Sequence, residues 1–185
     1  MIDDDLPEDY PLTAREFLHL PMASGKRYEL LQGELFVPPS PETKNARIGR
    51  NLLFKIQTQL DAEPFGEVFI ALTAVVLSKF DVVEPDLFVI KNEQQAQVKR
   101  NSFNGAPAMV FEIVSLWNRR MNMQRKALLY SKSGVEEYWM VDPEKRRILI
   151  QRLVEGKVDL EIFTSGSVSS AVLPGFTVEI GEIFA

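Results

Sequence analysis

Residues 82–90 read Val82-Val83-Glu84-Pro85-Asp86-Leu87-Phe88-Val89-Ile90. The six apolar side chains, four of them β-branched, predict a buried strand. Two acids and a proline interrupt that strand. A carboxylate taken out of water without a partner is strongly disfavoured. Either the acids stay wet at the start of the strand, or something positive binds them.

Working outward, the segment Ala108–Ser115 is apolar on both faces, as expected at the centre of a sheet, and carries Glu112 inside it. Residues 119–133 then predict a helix stopped by Gly134 and carrying Lys126. On the other side, 67–72 and 74–78 predict strands. From Glu42 to Ala62, Ala46, Ile48, Leu52, Leu53, Ile56 and Leu60 recur in steps of mostly three and four, the pattern of an amphipathic helix. Residues 27–37 predict two short strands around Gln32-Gly33, and Thr13 with Glu16 has the spacing of a capping box. Residues 91–107 are polar and predict a connecting loop. The strand 137–141, the pair 146–153 and 158–164, and the segment 173–184 close the chain, while 1–12 predict an extended arm. This order predicts an α/β fold: a mixed central sheet flanked by the helices 42–62 and 119–133, with an additional antiparallel β tail.

The 185 residues fit a single domain, 1–185, and 45% hydrophobic content suffices for an ordinary core. There is no apolar run long enough to span a membrane, the acidic start lacks the pattern of a secretory signal, and cysteine is absent. A cytoplasmic location is the simplest expectation, and disulfides and thiolate metal sites are excluded. One histidine, His19, argues against His-rich zinc chemistry, and a helix-end or surface role suits it better than a catalytic triad. The net charge of −5 argues against strong non-specific DNA affinity, although a local basic stripe is compatible with it.

Asp86 and Glu112 therefore stand out. The segment between them is long enough to bring their strands side by side, where two carboxylates share a hard divalent cation through oxygen ligands. Lys126, on the helix that follows, reaches back over the strand ends, where a lysine positions a water and offsets developing negative charge. The bland reading of the same residues is a buried Glu112–Lys126 ion pair and a turn-forming Asp86. Arg47, Arg50, Arg119, Arg120 and Arg125 either track a phosphate backbone or form the wet faces of two helices. Trp139 reads as core, whereas Trp117 is a candidate for base stacking.

The ordered set RYELLQGEL (27–35), EPDLFVI (84–90), GAPAMVFEIVS (105–115), KALLYSKSGVEEYWMVDP (126–143) and LPGFTVEI (173–180) resembles the PD-(D/E)XK nuclease superfamily, and more closely its Uma2 (DUF820) branch of restriction-endonuclease-like proteins. The resemblance implies a restriction-endonuclease-like core and a metal-dependent DNA endonuclease. Asp86 would be the Asp of the Pro-Asp motif and Glu112 the second acid, together holding Mg2+ or Mn2+ with the Ile113 carbonyl as a third ligand. Position 114, where the superfamily lysine often sits, is Val, and Lys126, four residues before Tyr130, takes its place. Glu34 matches a further acid of the pattern and Glu29 is a weaker candidate for the same role. The resemblance also implies a homodimer.

The chain departs from the family pattern at three places. Asn45 stands where a histidine is frequent, Asn122 where an acid is usual, and Ser115-Leu116-Trp117-Asn118 replaces Ser-Pro-Ser-Thr. These departures motivate the alternative expectation, a catalytically impaired nuclease-fold homodimer that binds nucleic acid or protein. A two-carboxylate glycosidase is a third reading, less compatible with Lys126.

Overall fold

The computed structural model describes residues 10–40, 42–115 and 118–185, and only the backbone of 118–122. Most of the expected N-terminal arm, and Trp117, lie outside the described residues. A short helix α1 (Ala14–Phe17) precedes the hairpin β1 (Glu29–Leu31) and β2 (Glu34–Phe36), and the long helix α2 (Thr43–Ala62) follows. Next come β3 (Gly66–Ile70), β4 (Ala74–Ser78), β5 (Asp81–Val83) and β6 (Leu87–Lys91). A 3-10 helix (Asn92–Gln97) leads to β7 (Ser102–Asn104), β8 (Met109–Ile113) and helix α3 (Asn118–Ser133). The chain ends with β9 (Glu137–Asp142), β10 (Arg147–Val154), β11 (Lys157–Phe163), β12 (Ser167–Ser169), β13 (Thr177–Glu179) and α4 (Ile180–Ile183).

The central sheet is mixed, in the order β11-β10-β9-β8-β6-β3, with β8 and β9 parallel and the other neighbours antiparallel. One face packs on α2 through Ile48, Leu52, Ile56 and Leu60, which meet Leu87, Val89, Phe111, Ile113 and Trp139. The opposite face, with Phe88, Ile90, Val110, Tyr138 and Met140, meets Tyr130 of α3 and Leu31, Val75, Val83 and Phe103. Burial on both faces explains why the central strands read as continuous apolar runs rather than as alternation. Each fully buried Leu, Ile or Phe contributes roughly 1.5–3 kcal/mol.

Two expectations are corrected here. The opening stretch is two strands, not one: β5 belongs to a second, five-stranded sheet, β2-β1-β5-β4-β7, and β6 to the central sheet. Glu84 and Pro85 carry the chain from one to the other, because Pro85 has no N–H to continue a ladder. The polar segment 91–107 is not all loop. It holds the 3-10 helix and β7, which runs parallel to β4 and buries Phe103 despite its polar neighbours.

The helix and hairpin signals near the start hold. Thr13 and Glu16 form the capping box of α1, and Ala14 and Phe17 pack on Leu30, Ala74 and Val82, the outer face of the second sheet. Gln32 and Gly33 both have positive φ, 56° and 81°, as a tight two-residue hairpin turn requires. Among the described residues no helix is long and apolar enough to cross a membrane.

Candidate active site

Strand alternation places the acids. In the antiparallel β6–β8 pair Leu87 lies opposite Phe111, so Asp86, one residue before β6, comes beside Glu112 at the same end of the sheet. Asp86 Oδ2 accepts the Ile113 N–H at 2.7 Å. Both carboxylates share the parity of Phe88 and Val110, the face turned to α3 and the second sheet. Glu29 shares the parity of Leu31, the face of β1 turned inward, and is 2% exposed. Lys126 of α3 completes the cluster: its Nζ donates to Glu112 Oε1 and to Glu29 Oε1, each at 2.7 Å. Tyr130, one turn further along α3, donates its hydroxyl to the same Glu112 oxygen at 2.9 Å.

Arg27 is the answer to the two acids of the opening stretch that sequence reasoning missed. Its Nη2 lies 2.6 Å from Asp86 Oδ1, and the two side chains are only 14% and 15% exposed. Burial alone would weaken the guanidinium's hold on its proton, but Asp86, Glu112 and Glu29 more than reverse that. Lys126 is likewise held above its ordinary value: the attraction of Glu112 and Glu29 outweighs burial. Both cations are therefore permanently charged. Burial raises Glu112, with the nearby charges of Glu29 and Asp86 adding to it against the pull of Lys126. Glu84 is raised by burial and by Glu29. Burial, with Glu112 beside it, pushes Tyr130 well up, so it is a neutral donor.

The charges do not balance. Glu29, Glu84, Asp86 and Glu112 are four carboxyls and Arg27 and Lys126 two cations, so the described cluster carries 4 − 2 = 2 surplus negative charges when fully ionised. Glu29 Oε2 and Glu84 Oε2 are buried with no hydrogen-bond partner. An all-oxygen donor set with a surplus of negative charge suits a hard dication such as Mg2+ or Mn2+. Among the described residues no three His, Cys, Asp or Glu side chains converge as a preformed metal site does. A metal here would rest on Asp86 and Glu112, with a backbone carbonyl and water completing its shell, which is how Mg2+ is commonly held.

Two members of the cluster, Asp86 and Arg27, line a cleft of about 820 Å3 together with Leu87 and Ile113. Asn45, Gly49, Arg50 and Leu53 of α2 form one wall, and Lys26, Arg27 and Val37 contribute to another. Ile70 and Leu72 stand at its rim, 54% and 59% exposed, and Leu72 adopts a positive φ of 71°, uncommon for a branched residue. Of the arginines singled out in the sequence, Arg50 lines the cleft. Arg47 lines a neighbouring hollow with Lys44, Glu144 and Arg146. Arg125 lies over Phe36 and meets Glu34 at 3.5 Å, and the side chains of Arg119, Arg120 and Asn122 lie outside the described residues.

Glu34 is not brought to the cluster. It sits on the edge strand β2, its side chain is 64% exposed, and its cation is Arg125. Glu29 occupies the place that the Gly-Glu pair suggested for Glu34. The signal was present: Glu29, like Glu112, is an acid inside an apolar strand, and Arg27 stands two residues before it, on the same side of an extended chain. His19 is an exposed helix-end residue whose Nδ1 lies 2.7 Å from the Arg15 carbonyl, and Trp139 is fully buried.

The family model for Uma2, described as "Putative restriction endonuclease", matches residues 14–181. The chain belongs to the Uma2 family. A crystal structure described as a "putative nuclease belonging to DUF820" from Anabaena variabilis ATCC 29413 superposes on it with a TM-score of 0.82, covering 94% of this chain and 98% of that one. At 21% identity that likeness shows the shared fold. No curated protein matches. The Uma2 match takes in every residue of the acid cluster, from Arg27 to Tyr130.

Proposed function

We propose that this Uma2 protein is a Mg2+- or Mn2+-dependent DNA endonuclease that hydrolyses phosphodiester bonds. The observation that carries the reading is the juxtaposition of Asp86 and Glu112 on neighbouring strands with Lys126 bonded to Glu112, Asp86 itself lining a cleft shared with Lys26, Arg27 and Arg50. Asp86 and Glu112 would hold the metal, with the Ile113 carbonyl as a further ligand. When bound, the metal supplies Lewis acidity toward the phosphate and lowers the pKa of a coordinated water.

The chain's own groups do the rest. Two of the three Nζ protons of Lys126 go to Glu29 and Glu112, which fixes the ammonium beside the carboxylate that would hold the metal. Tyr130 and Lys126 hold Glu112 in one rotamer. Lys26 and Arg50 neutralise the phosphates flanking the scissile one. The homodimer belongs to the same proposal. A second copy would cover Val158, Leu160 and Ile162, which stand more than half exposed on one face of the edge strand β11.

The rival reading, a nuclease-fold binding module that no longer cuts, draws on one observation. Both oxygens of Asp86 already have protein partners, Arg27 and the Ile113 N–H. Calorimetric Mn2+ titration of the wild type, Asp86→Ala and Glu112→Ala, with plasmid nicking in Mn2+ and in EDTA, separates the two. The nuclease binds metal only in the wild type and nicks only with metal. Retention of DNA in EDTA with no nicking under any condition supports the binding module.

A further inference from the structure

We propose that Arg27 is a two-position cation: it closes the metal site in the free protein and becomes a phosphate-binding residue once a dication takes Asp86. The inference rests on the metal reading given above and deepens it. Asp86 has two oxygens. Oδ2 is turned to the backbone, where it accepts the Ile113 N–H at 2.7 Å, and Oδ1 is held by Arg27 Nη2 at 2.6 Å. A dication held by Asp86 and Glu112 would draw on one of these oxygens. Drawing on Oδ2 takes the acceptor from the fixed Ile113 N–H, whereas drawing on Oδ1 needs only the Arg27 side chain to move. A guanidinium and a dication on one carboxylate repel each other, so the arginine leaves as the metal arrives.

The surroundings give Arg27 somewhere to go. It lies between the loop containing Gly25 and strand β1, and it lines the cleft together with Lys26 and Arg50. Swung away from Asp86, its planar fork would enter that cleft on the side of Lys26 and Arg50. A guanidinium there matches the bidentate geometry of a phosphate as no lysine does. Two consequences follow. In the absence of DNA, Arg27 competes with the metal and weakens it. With DNA present, the phosphate receives the displaced arginine, so metal and DNA each tighten the other's binding, as linkage requires.

The test is Mn2+ calorimetry on the wild type, Arg27→Gln and Asp86→Ala, without DNA and with a phosphorothioate duplex that resists cleavage. The expected result is that Arg27→Gln binds Mn2+ on the order of tenfold more tightly than the wild type without DNA, binds the duplex more weakly in Mn2+, and loses the mutual tightening. Equal or weaker Mn2+ binding by Arg27→Gln overturns the inference while leaving the metal site standing, because Asp86→Ala alone would then abolish binding. Absence of Mn2+ binding in both the wild type and Arg27→Gln overturns the metal reading and this inference together. A measurement on the wild type guards against a variant that fails to fold. The Arg27 Nε–H resonance should move when diamagnetic Mg2+ saturates the protein, and an unmoved resonance overturns the displacement.

Discussion

Lys126 is the residue on which the cluster turns. It is the shared partner of two buried glutamates that come from different sheets. Lys126→Met leaves both without their cation, and loss of one partner from a buried ionic group costs about 3–5 kcal/mol. Chemical denaturation should show that loss, and plasmid nicking should vanish with it. The two candidate acids of the hairpin are separable in the same way. Glu34→Gln on the exposed edge should change stability by less than about 0.5 kcal/mol. Glu29→Gln removes a buried charge from Lys126 and should cost roughly 1–3 kcal/mol by the same assay. Glu84→Gln works in the opposite direction. Its carboxyl is buried, has one oxygen without a partner and faces Glu29, so in EDTA at neutral pH the amide should raise the melting temperature. A gain of about 1 kcal/mol would appear as roughly 2–4 °C in a chain of this size.

At the scale of elements, the pairing of β3 with β6 leaves no room for a side chain at Gly66. A Cβ on Gly66 would run into the Ile90 carbonyl oxygen, a backbone atom held in the sheet. Gly66→Ala should therefore spread the β3–β6 pair, and a lowered melting temperature with loss of amide protection along Glu67–Ile70 would show it. Helix α1 offers a pH test. The Glu16 carboxylate is held below its ordinary value of 4.5 by the Thr13 hydroxyl and the Thr13 N–H. A depressed carboxylate contributes stability above its ordinary value and loses it as pH falls through the lowered one. Glu16→Gln should thus narrow the difference in melting temperature between pH 6 and about pH 3, the window in which carboxylates titrate.

What the sequence made legible follows the same division. The helices 42–62 and 119–133, the hairpin and the strands 67–72, 74–78 and 108–115 follow local rules of period, cap and turn, and they appear within a residue or two of where those rules place them. The split of residues 82–90 between two sheets was not legible, because Val82 and Val83 are as apolar as the strand they were joined to. Pro85 was the clue. Likewise β7 hides its one large apolar residue, Phe103, in a polar stretch too short for periodicity to speak. In the site, Asp86, Glu112 and Lys126 were readable as charges where charges cost most. Arg27 was not, since nothing local distinguishes it from a surface arginine. Its role shows only in the folded chain, where it meets Asp86 from 59 positions away.

At the scale of the whole molecule, the exposed row Val158, Leu160 and Ile162 bears on assembly. If a second copy covers that row, Leu160→Glu should convert the dimer to a monomer in sedimentation without lowering the melting temperature of the fold. A monomeric wild type would remove the homodimer from the proposal. The junction at Glu84-Pro85 has a different consequence. Only three residues, 84–86, separate β5 from β6, so the two sheets are coupled through a link with no slack. Whatever tugs on Asp86 from inside the cleft is transmitted straight to Val82 and, through its pairing, to Leu30. The pocket is thus mechanically wired to a wall on the far side of the second sheet, where α1 rests. The amides of Leu30 and Val82 should exchange more slowly with solvent deuterium once the cleft is filled, reporting occupancy from a place no ligand touches.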